Sequence, residues 1–267
     1  MPIQCAVAVR PIPEEEFHEI DEQVMGLVFG VHNEIGSLCD ERVYQDELAY
    51  RCRAAGFEGV LRELPIQVSF KDFRKTYLVD LLVNRSVPYE LKAAKQLTGE
   101  HRKQLLNYLF LLGLSHGKLV NMRPLSVEFE FVSTQLTPER RYGFSIQDGE
   151  WIDLDKDGVW LRELMRDLLS DWGAFLETDL FYEAIEFLRG GEDNVVRRID
   201  LVDGSRVIGS QRAHLLSGKI AFKITAVTKD PGSYEKHLRR FLSHTTLKAI
   251  QWVNLNHHVV SFKTLRR

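Results

Sequence analysis

Asp80, Glu90 and Lys92 are the residues of this 267-residue chain whose types and spacing point most directly to chemistry. Asp80 interrupts the otherwise apolar stretch YLVDLLV, and a buried carboxylate without a partner is too costly to be idle. Glu90 and Lys92 flank Leu91 in YELKA, where the period-two alternation of a strand puts both on one face. Hairpin pairing can bring that face beside Asp80. Two carboxylates and the backbone carbonyl of Leu91 then offer hard oxygen ligands suited to Mg²⁺ or Mn²⁺. Lys92, close to such an ion, would orient or help deprotonate an attacking water and stabilise negative charge on a phosphate. The bare D-x₉-E-x-K pattern fits equally a cross-strand ion pair on a solvated sheet face.

The elements that must position these residues are legible as changes of period. Ile20, Val24, Leu27, Val28 and Val31 repeat as in an amphipathic helix over 17–31, ended by Gly36. A second helix runs from about Glu41 to Ala55, with Gly56 as its stop. Ile66–Phe70, Tyr77–Val83 and Tyr89–Ala93 form a meander of three adjacent strands. A helix over His101–Leu112 and strands at Lys118–Asn121 and Val127–Val132 follow. Residues 138–157 are polar and weakly periodic, and read as a linker between a domain at 1–137 and one at 158–267.

After that linker the order begins again. Val159–Leu169 and Phe175–Leu188 read as helices, and Val195–Val202, Arg206–Leu216 and Ile220–Thr225 as strands. Tyr234–Phe241 reads as a helix, with strands at Ala249–Asn254 and Val259–Thr264. Residue-level agreement supports a tandem duplication. Gly173, Phe175, Leu176 and Glu177 lie on Gly36, Leu38, Cys39 and Glu41 with one gap. AHLLSGKIAFKITAV overlays VDLLVNRSVPYELKAA with one residue missing in a turn. The overlay continues with Gln104 on His237, Tyr108 on Phe241 and Asn121 on Asn254. The competing account is chance similarity between two amphipathic α+β units.

With 44% apolar and 27% charged residues, 8 Pro and 18 Gly, the chain is a folded protein rather than a disordered or fibrous one. It has no apolar run long enough to span a bilayer and no leader-like start, so a cytoplasmic location without membrane association is expected. Cys5, Cys39 and Cys52 form no C-x-x-C pair, against a disulfide framework, a zinc site or an iron–sulfur cluster. The net charge of −3 hides an asymmetry, since residues 195–267 hold 14 Lys and Arg against 4 Asp and Glu.

The stretch from VHNEIG through ERVY to YLVDLLV, ELKA and QLLNYL, about residues 17–123, resembles the GxxExxY proteins, a bacterial branch of the PD-(D/E)XK nuclease superfamily. The matching positions are Val31-His32, Gly36, Glu41-x-x-Tyr44, Asp80, Glu90-Leu91-Lys92 and Gln104-x-x-x-Tyr108. Leu38 departs from the pattern, standing where that family has the glycine of its name. The resemblance implies a restriction-endonuclease-like α/β core, a central mixed sheet flanked by helices, with metal-dependent cleavage of phosphodiester bonds. Q-x-x-x-Y is also similar to RecB-like and lambda-exonuclease-like nucleases, in which that helix contacts substrate. Gln104 and Tyr108, one turn apart, share a face and either serve the site or form an ordinary helix face. Glu41 either helps bind metal or caps its own helix. His32 either supplies a nitrogen ligand, as an upstream histidine does in RecB-like enzymes, or sits favourably at a helix C-terminus.

In the repeat alignment Asp80 becomes His214, Glu90 becomes Lys223 and Lys92 becomes Thr225, so no acidic pair survives in the second half. The expected function is cleavage of DNA with Mg²⁺ or Mn²⁺ by residues 17–133, while a degenerate, basic second half holds substrate. Arg197, Arg198, Arg206, Arg212, Lys219, Lys223, Lys229, Arg239 and Arg240, with Trp252, His257 and His258 nearby in sequence, are candidates for that contact. Docking of the basic half on the acidic one, an intramolecular pseudo-dimer, is the competing role for the charge. A non-catalytic nucleic-acid-binding or protein-assembly module that keeps the fold is the alternative function.

Overall fold

The computed structural model describes residues 2–267. It forms two compact units, residues 2–69 with 74–138, and residues 70–73 with 139–267. The fold is α/β, with two mixed sheets and, among the described residues, 8 helices. No helix is long and apolar enough to cross a membrane among these residues.

The first unit opens with a short strand, β1 (Ile3–Cys5), then α1 (Glu14–Ile35) and α2 (Glu41–Ala54). Gly36 ends α1 at φ 76°, and Gly56 follows α2 at φ 88°, a left-handed region that a side chain disfavours. The meander is present as β2 (Leu61–Phe70), β3 (Phe73–Val83) and β4 (Val87–Lys92). After α3 (Gly99–Leu112) come β5 (His116–Asn121) and β6 (Glu128–Ser133). The sheet order is β1-β2-β3-β4-β5-β6, with β4 and β5 parallel across the α3 crossover. Leu81, Val83, Tyr89, Leu91 and Val120 join the α1 and α2 side chains in one core. Their alternating neighbours face α3, where a Cβ on Gly117 would lie 3.1 Å from Leu105 and 3.3 Å from Leu109 and Pro88. Glycine there lets α3 lie close to the sheet.

Between the two domain readings, residues 138–157 are not a plain linker. A turn of helix, α4 (Pro138–Arg141), precedes β7 (Ser145–Glu150). β7 pairs in parallel with the last strand, Ser145 against Val259 and Gln147 against Ser261. The second unit continues with α5 (Lys156–Trp172), α6 (Thr178–Leu188), the short α7 (Glu192–Val195), β8 (Val196–Asp203), β9 (Arg206–Ser217) and β10 (Ile220–Thr225). It closes with α8 (Pro231–Ser243), β11 (Ala249–Asn256) and β12 (Val259–Arg266). Its sheet order is β7-β12-β11-β10-β9-β8.

Strands β8 to β12 therefore repeat the adjacency of β2 to β6. β10 and β11 are parallel across α8, as β4 and β5 are across α3. The registers agree as well: Lys92 stands beside Asn121, and Thr225 beside Asn254. The extra strands differ, β1 adding beside β2 and β7 beside β12.

One expected correspondence fails. At the turn Ser217 pairs with Ile220, but the next pair is Leu215 with Ala221, so β9 carries an extra residue as a bulge. In the first unit Leu82 pairs with Pro88 without such a break. Beyond the bulge every β9 residue is displaced by one, and Ala213, not His214, takes the place of Asp80. The side chains agree, because Ala213 packs with the α8-face cluster. The His214 ring lies instead 4.3 Å from that of Tyr182 on α6.

Candidate active site

The β3–β4 ladder runs from Val83 with Val87 to Leu81 with Tyr89, and there the strands part. Leu91 on β4 then has an N–H that β3 does not take up through its backbone. Asp80 supplies the acceptor, its Oδ2 2.8 Å from Leu91 N. The carboxylate that breaks the apolar pattern thus sits in the fork between two diverging strands.

Glu90 and Lys92 share a face as their spacing requires, and Lys92 Nζ donates to Glu90 Oε1 at 2.5 Å. Glu41, the first residue of α2, brings its Oε1 to 3.9 Å from the same ammonium. It is an acid in the first turn of α2, after the N-cap Asp40, and its Oε1 accepts from Gln45 Nε2 at 3.4 Å. Glu90 is fully buried, and its Oε2 has no hydrogen-bond partner among the described residues. Burial, reinforced by the neighbouring Asp80, pushes the Glu90 carboxyl up to about 8. Burial likewise raises Asp80 to about 6, against the pull of Lys92 and the Leu91 N–H. Burial acts to lower the Lys92 pKa, but Glu90, Asp80 and Glu41 together outweigh it and leave it raised. Lys92 is therefore held as an ammonium that donates and does not accept a proton.

These residues meet the requirements of a hard divalent cation. An orphaned carboxylate oxygen and two acids reluctant to ionise are what a cation site looks like without its charge. Among the described residues no three His, Cys, Asp or Glu side chains converge closely enough to hold an ion alone. Mg²⁺ commonly binds through one or two carboxylates and keeps several waters, which suits Asp80 and Glu90 with solvent completing the shell. The family model that matches the chain, over residues 18–132, is that of the PD-(D/E)XK nuclease superfamily. Residues 18–132 are a PD-(D/E)XK nuclease superfamily domain. Members of this superfamily are usually nucleases and typically use divalent metals. No curated protein and no solved structure matches the chain.

Within the PD-(D/E)XK domain, Tyr44 holds the turn that delivers Glu41. Its hydroxyl donates to Gly36 O at 2.9 Å and accepts from Cys39 N at 3.1 Å. Leu38, in the same turn, points to solvent with 85% of its surface exposed, so its side chain leaves the turn closed. Gln104 Nε2 donates to Tyr108 Oη at 3.0 Å, and the Tyr108 ring meets Tyr77 edge-on. The pair is thus engaged with itself and with β3. His32 donates through Nε2 to Pro124 O at 2.9 Å, which leaves only Nδ1 of a neutral ring with a lone pair.

Two positioning residues were not foreseen from the sequence. Asn121 clamps the chain just after Lys92, with Oδ1 accepting from Ala94 N at 3.0 Å and Nδ2 donating to Ala94 O at 2.8 Å. Arg123 donates to Ala93 O and Cys39 O, tying the end of β4 to the turn before α2. The overlay of Asn121 on Asn254 was the available signal, and the second unit repeats the clamp. Asn254 Oδ1 accepts from Val227 N at 2.8 Å and its Nδ2 donates to Val227 O at 2.9 Å.

At the matching fork of the second unit the chemistry is absent. Ile224 N donates to the Tyr182 hydroxyl at 2.7 Å, where Leu91 N uses Asp80. Thr225 is buried, accepting from Trp252 Nε1 at 2.8 Å and donating to Asn254 Oδ1 at 2.7 Å. Of the basic candidates, Arg212 pairs with Glu192, Arg206 with Asp203 and Arg239 with Glu235. Arg198 is hydrogen-bonded to Ser210 across the β8–β9 hairpin, and Arg197 donates to Val196 O. Lys219 lies near the C-terminal residues Arg266 and Arg267. Lys229 and Arg240 are exposed.

Proposed function

We propose that this chain hydrolyses phosphodiester bonds of DNA with Mg²⁺ or Mn²⁺, as a member of the GxxExxY branch. In this reading Asp80, Glu90 and the Leu91 carbonyl hold the cation, with Glu41 as a further acid. The observation that carries the proposal is the buried, unpartnered Oε2 of Glu90 beside Asp80 and Lys92. A bound divalent cation supplies Lewis acidity, making a water more acidic and drawing charge from the phosphate. Lys92, held as an ammonium, orients the attacking water and donates to the negative charge that builds on the phosphate. The water gives up a proton to solvent as its oxygen bonds to phosphorus and the bond to the leaving sugar oxygen breaks, and that oxygen takes a proton from solvent in turn. Gln104 and Tyr108, bonded to each other on α3, would reach the strand being cut by turning from that contact, and His32 would contribute through Nδ1.

Residues 158–267 are read as a duplicated copy that has lost the reaction and assists substrate binding through its basic side chains. The shared strand adjacency, the parallel pairings and the paired clamps at Asn121 and Asn254 support that ancestry. The test is cleavage of DNA by purified protein with and without EDTA, in wild type, Asp80→Asn and Lys92→Met. Metal-dependent cleavage lost in both variants supports the reading, and equal cleavage by all three contradicts it.

A further inference from the structure

The place of the acidic site is occupied in the second unit by a cavity of about 340 Å³. Its floor and walls include Ala213, Ala221, Leu238, Phe241 and Ile250. The matched strand registers put Ala213, Ala221 and Ile250 at the places of Asp80, Pro88 and Gly117, and the sequence overlay puts Leu238 and Phe241 at those of Leu105 and Tyr108. Loss of the Asp80 carboxylate and the Pro88 ring to two alanines removes side-chain volume. At Gly117 the first unit admits its helix closely, whereas Ile250 puts a branched side chain between sheet and helix.

The charge has inverted with the shape. Lys223 stands where Glu90 stands and Arg212 adds a second cation to the lining, while His214, whose pKa burial holds below the ordinary imidazole value, lies beside them. No acidic side chain lines the cavity among the described residues. His214 leans on Glu186 and Arg212 on Glu192, while Lys223 has no ion pair among the described residues. A volume near the lower end of small-molecule sites, which span roughly 300–1,000 Å³, admits one planar group and its anionic substituent but no duplex. An apolar wall that carries the rings of Phe222 and Phe241 beside a lysine without an ion pair suits a base with its phosphate.

We infer that this cavity binds a single unpaired nucleotide, with its phosphate at Lys223 and its base between Phe241 and the aliphatic wall. Nuclease action of the first unit would account for the presence of such a ligand, as a product or as part of the substrate strand. The site itself requires no metal.

The test is calorimetric titration of the full chain in EDTA with a deoxynucleoside 5′-monophosphate, the matching nucleoside, inorganic phosphate and a short single-stranded oligodeoxynucleotide. The monophosphate should bind more tightly than the nucleoside or phosphate alone. Lys223→Met, which removes a charged hydrogen bond, should weaken it by about tenfold. Ala213→Leu, which fills the cavity, should weaken it by a similar factor while Lys223 stays in place. Tighter, Lys223-dependent binding of the oligonucleotide would assign the nucleotide to a strand, and preference for the monophosphate would assign it to a free nucleotide. No binding, or binding indifferent to both variants with their melting temperatures unchanged, would overturn the inference. Failure of the nuclease reading would appear separately, as wild-type protein that cleaves nothing with Mg²⁺ while still binding nucleotide through Lys223.

Discussion

Asp80 accepts the backbone N–H of Leu91 through its side chain at 2.8 Å, at the point where β3 and β4 cease to pair. One carboxylate thereby closes the sheet and faces the site. Asp80→Asn keeps an acceptor for that N–H and should fold, whereas Asp80→Ala leaves it unpaired at a cost of about 1–3 kcal/mol. Thermal melts without metal should therefore rank Asp80→Ala below Asp80→Asn, with both inactive. Equal melting temperatures would show that Asp80 has no structural part.

The raised carboxyl of Glu90 makes the metal-free protein sensitive to pH. Its pKa moves from 4.5 unfolded to about 8 folded. The unfolded chain thus gives up its proton first, and the folded state loses stability as pH rises between those values. Asp80, raised to about 6, acts in the same direction over the lower part of that window. Urea unfolding in EDTA should show stability falling from pH 5 to pH 8, with Glu90→Gln flattening the slope. An identical slope in wild type and Glu90→Gln would contradict this account of the buried acid.

Tyr44→Phe removes a hydroxyl bonded to both Gly36 O and Cys39 N. The expected loss is about 1–2 kcal/mol, with faster amide exchange confined to the turn before Glu41 and a higher metal requirement for cleavage. Unchanged exchange in that turn would mean that the tyrosine acts only by packing.

Much of this arrangement was legible because period and punctuation act locally. The apolar spacing from Ile20 to Val31 and the glycine at 36 mark α1, and E-x-K alternation puts Glu90 and Lys92 on one face, as their 2.5 Å contact shows. β7 was not legible. SIQDGE is polar, lies at a sheet edge and becomes a strand by pairing with β12, more than a hundred residues away. The shift of His214 off the place of Asp80 was equally hidden, because a bulge adds a residue without a local signature. The clamps of Asn121 and Asn254 depend on contacts with chain 27 residues earlier, which spacing does not reveal.

The two asparagines separate architecture from activity. Asn121→Ala and Asn254→Ala each orphan the backbone groups of one residue, Ala94 or Val227, and each should destabilise its own unit by about 1–3 kcal/mol. Metal-dependent cleavage should fall in Asn121→Ala, whose clamp follows Lys92, and persist in Asn254→Ala at temperatures where both fold. Full loss of cleavage in Asn254→Ala would give the second unit a part in the reaction.

The most direct measurement is anomalous diffraction from a crystal of the full chain soaked in Mn²⁺. The account predicts one strong peak within bonding distance of Glu90 Oε2 and Asp80, with none among Ala213, Lys223 and Thr225. A crystal with no peak beside Glu90, or with its strongest peak in the second unit, would contradict the assignment of Asp80 and Glu90 as the metal centre.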